Sequence, residues 1–185
     1  NFKLNHIVII GVLVLAFSIS FLIRSQPADY GNELMEFDPF FNFRATEYIV
    51  ENGLSEYFQW HDTKSWYLPE DMGTGVDGTG KPGISGRNVS ATSQTMLHIT
   101  AAITYQIFGG NSTLYDFTIL FPAVIGSLTV IVIFGLVRVF AGTTAGLFAS
   151  LLFAVSLPIL MRGTIGWFKS EPLGIFYVLF GLYLF

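Results

Sequence analysis

The sequence of 185 residues contains no cysteine. Disulfides, thiolate catalysis and Cys-ligated metals are thereby excluded, with nothing implied about compartment. Charge is scarce as well. Charged side chains make up 12% of the residues, about half of what a soluble domain carries. No basic cluster offers a footprint for nucleic acid, and no internal repeat or heptad pattern is present. What is abundant is apolar surface: 52% of residues are hydrophobic and 16% aromatic. Several long uncharged runs make this an all-α polytopic membrane protein.

The little charge there is collects in one place. Between Ser25 and Thr92 lie eleven of the 13 acidic residues against Arg44, Lys64, Lys81 and Arg87. An acidic loop set between apolar spans is the main compositional event. Residues 1–24 are expected to hold a first transmembrane helix, its uncharged core at 7–23 flanked by Lys3 and Arg24. No small-residue cleavage site follows, so it reads as a retained anchor and not a signal peptide. Residues 25–112 form the acidic external loop with interfacial helices. Residues 113–137 form a second span, 138–143 a cytoplasmic turn, 144–161 a third span, 162–171 an external polar stretch, and 172–185 the start of a fourth. With no initiator Met and an apolar run still open at Phe185, the chain is expected to be part of a longer one.

Within the loop, residues 46–53 read as a helix closed by Gly53. Trp60, Trp66 and Tyr67 suit the membrane–water interface. Six glycines fall in residues 73–86, and Gly75 to Lys81 has the spacing of a phosphate-binding loop. Pro82 stands where that loop needs a hydroxyl and no buried strand precedes it, so the motif is rejected. Residues 93–108 would make a helix of about 24 Å, short of the ~30 Å hydrocarbon layer. Met96, Ile99, Ile103 and Ile107 lie on one stripe, which predicts an interfacial helix. His98 there reads as a satisfied structural residue.

Parity then fixes sidedness. If residues 93–108 do not span, two spans separate the acidic loop from residues 162–171, and both face the same side. Asp38 and Glu171 become same-side carboxylates at helix boundaries, each next to a proline. Arg162 and Lys169 are cations where the positive-inside rule would not put them. Such a set suits a metal-assisted reaction on an anionic, lipid-linked substrate: carboxylates for a hard divalent ion, cations for phosphate oxygens. The bland alternative has Arg162 and Lys169 snorkelling to headgroups, Glu171 capping the following helix and Asp38 capping its own.

The stretch Met35-Glu36-Phe37-Asp38-Pro39-Phe40-Phe41-Asn42-Phe43-Arg44-Ala45-Thr46-Glu47-Tyr48 resembles the first acidic motif of the oligosaccharyltransferase catalytic subunit family. Gln59-Trp60-His61-Asp62-Thr63-Lys64-Ser65-Trp66-Tyr67 is similar to that family's first external loop. Arg162-Gly163-Thr164-Ile165-Gly166-Trp167-Phe168-Lys169-Ser170-Glu171 is similar to its second acidic motif. The archaeal single-subunit form, archaeal glycosylation protein B, is the nearest type. The resemblance implies a C-type glycosyltransferase transmembrane fold, of which this is the N-terminal part, in the cell membrane with the acidic loop outside. It implies transfer of an oligosaccharide from a dolichol phosphate-linked carrier to asparagine of Asn-x-Ser/Thr sequons in acceptor proteins. Asp38 would hydrogen-bond the acceptor amide and touch the metal, Glu171 would be the second-motif carboxylate, and Arg162 would sit near the leaving phosphate. Asp38 and Glu171 would hold Mg2+ or Mn2+, with Lys169 also meeting phosphate.

Two departures stand out. Lys169 occupies the position of the second motif's first Asp, and a protonated lysine cannot ligate a metal. The family's Trp-Trp-Asp-Tyr-Gly motif is not in these residues, so the fragment alone is expected to be inactive. Two sequons, Asn88-Val89-Ser90 and Asn111-Ser112-Thr113, make Asn88 and Asn111 candidate glycan acceptors. A protein mannosyltransferase would share an acidic residue after the first span but not the stretch at 162–171. A catalytically silent membrane scaffold is the remaining alternative, and Lys169 favours it.

Overall fold

The computed structural model describes residues 4–64 and 86–185. Lys3, Trp66, Tyr67 and nearly all of the glycine-rich stretch with Lys81 lie outside the described residues. The chain is mostly helical and divides into two compact units, Asn1–Pro39 with Tyr115–Phe185, and Phe40–Leu114.

The first unit is built from apolar helices. α1 runs over Leu4–Ser25, and a 3-10 turn at Gln26–Tyr30 follows it. α2, Phe37–Asn52, opens here with its first residues. α6 covers Leu114–Ala154 but is broken at Gly142, where φ is 83° and ψ 174°. There the chain folds back on itself. Gly146 lies against Phe134 and Arg138, so close that a Cβ would stand 2.8 Å from the Phe134 carbonyl oxygen. Further along, Ala154 packs with Val130 and with Ala16 of α1. α6 is therefore a helical hairpin, with its turn inside the expected 138–143 segment.

The returning limb departs from expectation at its end. The helix expected to reach residue 161 stops at Ala154, and a short α7, Leu157–Leu160, follows. Pro158 is the cause: it has no N–H to give the Ala154 carbonyl, and its ring would clash there. α8, Ser170–Leu184, then runs back along the bundle. Pro172 near its start lies beside Gly163, and Tyr183 near its end lies beside Gly135. Among the described helices α1 and α6 are long and apolar enough to cross a membrane, and α8 is shorter. Three buried hydroxyls in the bundle are satisfied locally, Thr118, Thr129 and Ser150 donating to carbonyls three or four residues earlier, while Ser127 Oγ is buried without a partner among the described residues.

Arg24, read as a cation flanking the first span, is fully buried. Its Nε donates to Ser20 Oγ at 3.2 Å, and its Nη1 to the carbonyls of Ile159 and Leu160 at 3.1 and 3.2 Å. Room for the guanidinium comes from two glycines, Gly126 and Gly163, where any Cβ would collide with it. A buried charge is tolerated only when hydrogen-bonded, and here the carbonyls at the end of α7 do this.

The polar stretch after α7 is held at this end of the bundle by its backbone. Ile165 N–H donates to the Arg24 carbonyl (2.9 Å), Gly166 N–H to that of Ile119 (3.0 Å), and Met35 N–H to that of Gly166 (3.0 Å). Leu34, buried, donates its N–H to Tyr115 Oη at 3.3 Å. Phe168, also buried, meets Phe121 edge-on at 5.7 Å. Arg138 lies at the other end of the bundle, beside Leu13 and Tyr183 in an apolar cleft of about 500 Å³.

The second unit contains most of α2, then α3 (Leu54–Gln59), a two-residue antiparallel pair β1 (His61–Asp62) and β2 (Arg87–Asn88), α4 (Val89–Thr92) and α5 (Thr95–Phe108). α2 ends where expected, Gly53 following it at φ 87° and donating to the Ile49 carbonyl. It begins nine residues before the expected Thr46, because Pro39 sits in its first turn, where no N–H partner is needed. The core gathers Ala45, Ile49, Tyr57, Val89 and Ala102. α5 turns Leu97, His98, Ala101 and Ala102 inward and leaves Met96, Ile103, Ile107 and Phe108 exposed. Trp60 stacks on Tyr48 at 4.3 Å.

His98 is the satisfied structural histidine the sequence suggested. Asn42 Oδ1 lies 3.0 Å from its Nε2, and Tyr57 Oη lies 2.7 Å from its Nδ1. Burial, with Arg87 adding to it, pushes its pKa down to about 3. The folded state thus keeps His98 neutral while the unfolded chain protonates it below pH 6.5. Its contribution is complete above pH 6.5 and is lost as pH falls towards 3. The second unit should lose thermal stability across this window, and His98→Gln should flatten the slope. Unfolding midpoints of the detergent-solubilised protein between pH 7 and 4 test this.

Gly166 supplies the second test. It sits at φ 80°, and a Cβ would run into the Glu33 carbonyl oxygen. Gly166→Ala combines left-handed strain with overpacking, a destabilisation of roughly 2–4 kcal/mol. It should lower the unfolding midpoint, whereas alanine at Gly174, with nothing within 4 Å, should not.

Candidate functional site

The backbone pins above place two polar stretches against each other within the first unit, residues 33–38 and 162–171. Glu36 immediately precedes α2 and is the one non-glycine residue among those described with a positive φ, 67°. Asp38 falls in the first turn of α2, and Glu171 in the first turn of α8. Both carboxylates lie where a helix N-terminus favours negative charge.

The expected site residues meet in a particular order. Lys169 Nζ donates to Glu36 Oε2 at 2.6 Å and lies 3.1 Å from Asp38 Oδ2. Its side chain is only 12% exposed, while those of Glu36 and Asp38 are 52% and 66% exposed. The ammonium also stands 4.5 Å from the centre of the Trp167 ring, and Arg162 Cζ stands 5.5 Å from the same ring. The Glu36 hydrogen bond, with Asp38 adding to it, raises the Lys169 pKa above its ordinary value. Arg162 pairs with Glu171 at a looser 3.6 Å. Trp167 Nε1 and Glu171 Oε2 are buried without a hydrogen-bond partner.

The cluster thus consists of one lysine shared by two carboxylates and one arginine–glutamate pair, beside one indole. Asp38 keeps most of its side-chain surface open, and Arg162 keeps 58% of its own. A carboxylate able to accept from a neutral donor stands in the same cluster as a guanidinium able to meet an oxyanion. The same residues do not, as they stand, fit a divalent ion. Among the described residues no three His, Asp or Glu side chains converge, and the position between Glu36 and Asp38 holds an ammonium. Oxygen-rich coordination requires more donors than the pair Asp38 and Glu171 provides.

Glu36 and Trp167 belong to this site and were not singled out from sequence. Each stands two residues before a residue that was, Asp38 and Lys169 respectively. The sequons differ in setting. Asn88 caps α4, its Oδ1 accepting from Ala91 N–H and Ser90 Oγ, whereas Asn111 and Thr113 are exposed in the turn before α6. In the second unit an open cleft of about 330 Å³ lies among Arg44, Glu47, Tyr48, Trp60 and Asp62, with Arg44 paired to Asp62.

The family described as oligosaccharyl transferase STT3, N-terminal, matches residues 7–185. The dolichyl-diphosphooligosaccharide–protein glycosyltransferase subunit STT3B of Oryza sativa subsp. japonica is 29% identical over 180 residues, covering 95% of this chain and 23% of the relative. Subunit STT3A of the same plant is 28% identical over 190 residues, covering 97% and 20%. Subunit stt-3 of Caenorhabditis elegans is 28% identical over 176 residues, covering 95% and 22%. The chain spans about a fifth of the length of these relatives. With the two acidic stretches joined as described, the chain belongs to the oligosaccharyl transferase STT3 family of glycosyltransferases and corresponds to its N-terminal part.

Proposed function

We propose that this chain forms the Asp38-bearing part of a membrane enzyme that transfers an oligosaccharide from a dolichol phosphate-linked carrier to asparagine in Asn-x-Ser/Thr acceptors. The observation that carries this reading is the open carboxylate of Asp38, anchored on one side by Lys169 from the second acidic stretch. An amide nitrogen is a poor nucleophile, because its lone pair is delocalised into the carbonyl. A carboxylate accepting from the acceptor N–H weakens that delocalisation as the C–N bond forms. Asp38 is the group placed to do this. Arg162, half-exposed and loosely paired, takes the leaving phosphate. Glu171 holds Arg162 in place. Lys169, expected to meet phosphate, has its ammonium directed to Glu36 and Asp38 instead.

In this reading α1, the two limbs of α6 and α8 cross the bilayer, and the acidic loop and site occupy the external face. The exposed Met96, Ile103, Ile107 and Phe108 of α5 rest at the lipid interface. Mg2+ or Mn2+, expected at Asp38 and Glu171, would find too few oxygen donors there as the residues stand. The archaeal glycosylation protein B type rests on the sequence resemblance alone, the relatives compared being eukaryotic. Asn111, the exposed sequon, is the acceptor within the chain itself, and an intact mass without glycan would contradict that.

The full-length protein should transfer carrier-linked glycan to a sequon peptide. Asp38→Ala should lower the rate at least about 10²-fold, the scale of one lost transition-state contact. Transfer to serine or threonine instead would identify a protein mannosyltransferase. Absence of transfer by the wild type with any divalent ion would favour a silent scaffold.

A further inference from the structure

The position beside Asp38 is already taken by a cation that belongs to the chain. Lys169 Nζ touches one oxygen of Glu36 and one of Asp38, and its side chain is almost wholly enclosed. Trp167 lies under the ammonium at 4.5 Å, a contact that strengthens as water is removed. Glu36 takes a backbone conformation few glutamates adopt, and its carboxylate makes the shorter of the two contacts. A divalent ion at Asp38 would stand beside the ammonium, which already holds one oxygen of each carboxylate. It would also have to displace an ammonium that offers donors only and repels it.

We propose that Lys169 is a built-in counter-ion that replaces the divalent metal at Asp38, with Glu36 and Trp167 as its positioning residues. This rests on the glycosyltransferase reading above and specifies how that site is charged. The ammonium balances the charge of Asp38 and fixes the direction of one carboxylate oxygen, leaving the rest of the group to the acceptor amide. It carries one positive charge where a metal carries two. The remaining charge at the leaving phosphate falls to Arg162, which shares the Trp167 ring with Lys169. No covalent step is added; Lys169 neither gains nor loses a proton.

Full-length protein purified through EDTA tests the proposal in two arms. In the first, transfer to a sequon peptide is measured in EDTA and again with Mn2+. The rates should agree within about two-fold, since each tenfold change would reflect a distinct interaction. Transfer that stops in EDTA and returns with Mn2+ overturns the proposal. No transfer under either condition counts against the glycosyltransferase reading instead, and the second arm then decides alone. There, Mn2+ binding is followed by electron paramagnetic resonance on wild type and Lys169→Asp, which puts an oxygen donor where the ammonium was. The variant should bind one Mn2+ at least about tenfold more tightly than the wild type. Tight, stoichiometric Mn2+ binding by the wild type, equal to that of the variant, overturns it. Trp167→Leu, which removes the ring but no charge, should raise KM or lower kcat without making transfer depend on Mn2+. Its becoming Mn2+-dependent would show that the ammonium is readily displaced and would overturn the positioning role.

Discussion

A stretch of non-helical backbone packed against apolar helices must find partners for its N–H and C=O groups without help from water. Residues 161–169 are that stretch, and how they meet this demand organises the first unit. Three of their backbone groups bond to Arg24, Ile119 and Met35, which come from three separate segments. Those bonds tie α1, α6 and the lead-in to α2 to one loop. The functional side chains are positioned as a result, because a loop held by its main chain delivers Trp167, Lys169 and Glu171 at fixed places.

Arg24 belongs to the same solution. The last carbonyls of α7 lie at a helix end, and the guanidinium supplies donors to those of Ile159 and Leu160, the second of which also accepts from Gly163 N–H. The cost is a buried charge with one nitrogen, Nη2, left unpartnered, and a demand for space that Gly126 and Gly163 meet. One arginine therefore closes a helix end, while its own carbonyl holds Ile165. Replacing it by a hydrophobic side chain would relieve the buried charge and strand the carbonyls, so the two halves of the bargain cannot be separated.

Much of this was legible in sequence, and the parts that were not have physical reasons. Counting uncharged runs led to the expectation that Asp38 and residues 162–171 share a side, and the two stretches do meet within the first unit. The turn near Gly142 was legible from the same count. Arg24 was not: a cation at the end of an apolar run looks the same whether it snorkels or is buried, and only the approach of Gly126 and Gly163 distinguishes the two. Asp38 was expected at a helix boundary, where α2 does begin, but the helix itself was read only from Thr46, because Pro39 reads equally as a stop and as a first-turn residue. The end of the returning limb was readable from Pro158. Glu36 and Trp167 carried no signal of their own. Their roles depend on a left-handed backbone at one and a cation above the ring of the other, and both arise only once the loop is pinned.

The charge at position 169 separates two ways of preparing a carboxylate for the same task. A bound metal draws several oxygens inward and exchanges with solvent, so the site is complete only when the ion is present. A tethered ammonium is always present, because the chain that carries it is held by Gly166 and Phe168. Its single charge also leaves the cluster closer to negative, since Glu36 and Asp38 outnumber it and Arg162 is matched by Glu171. On the function proposed above, an incoming phosphate is met by loosening the Arg162–Glu171 pair, whose 3.6 Å separation and exposed guanidinium make it the least costly contact in the site to give up. On that reading the Lys169 contacts hold the carboxylate and the loose Arg162–Glu171 pair yields to the substrate.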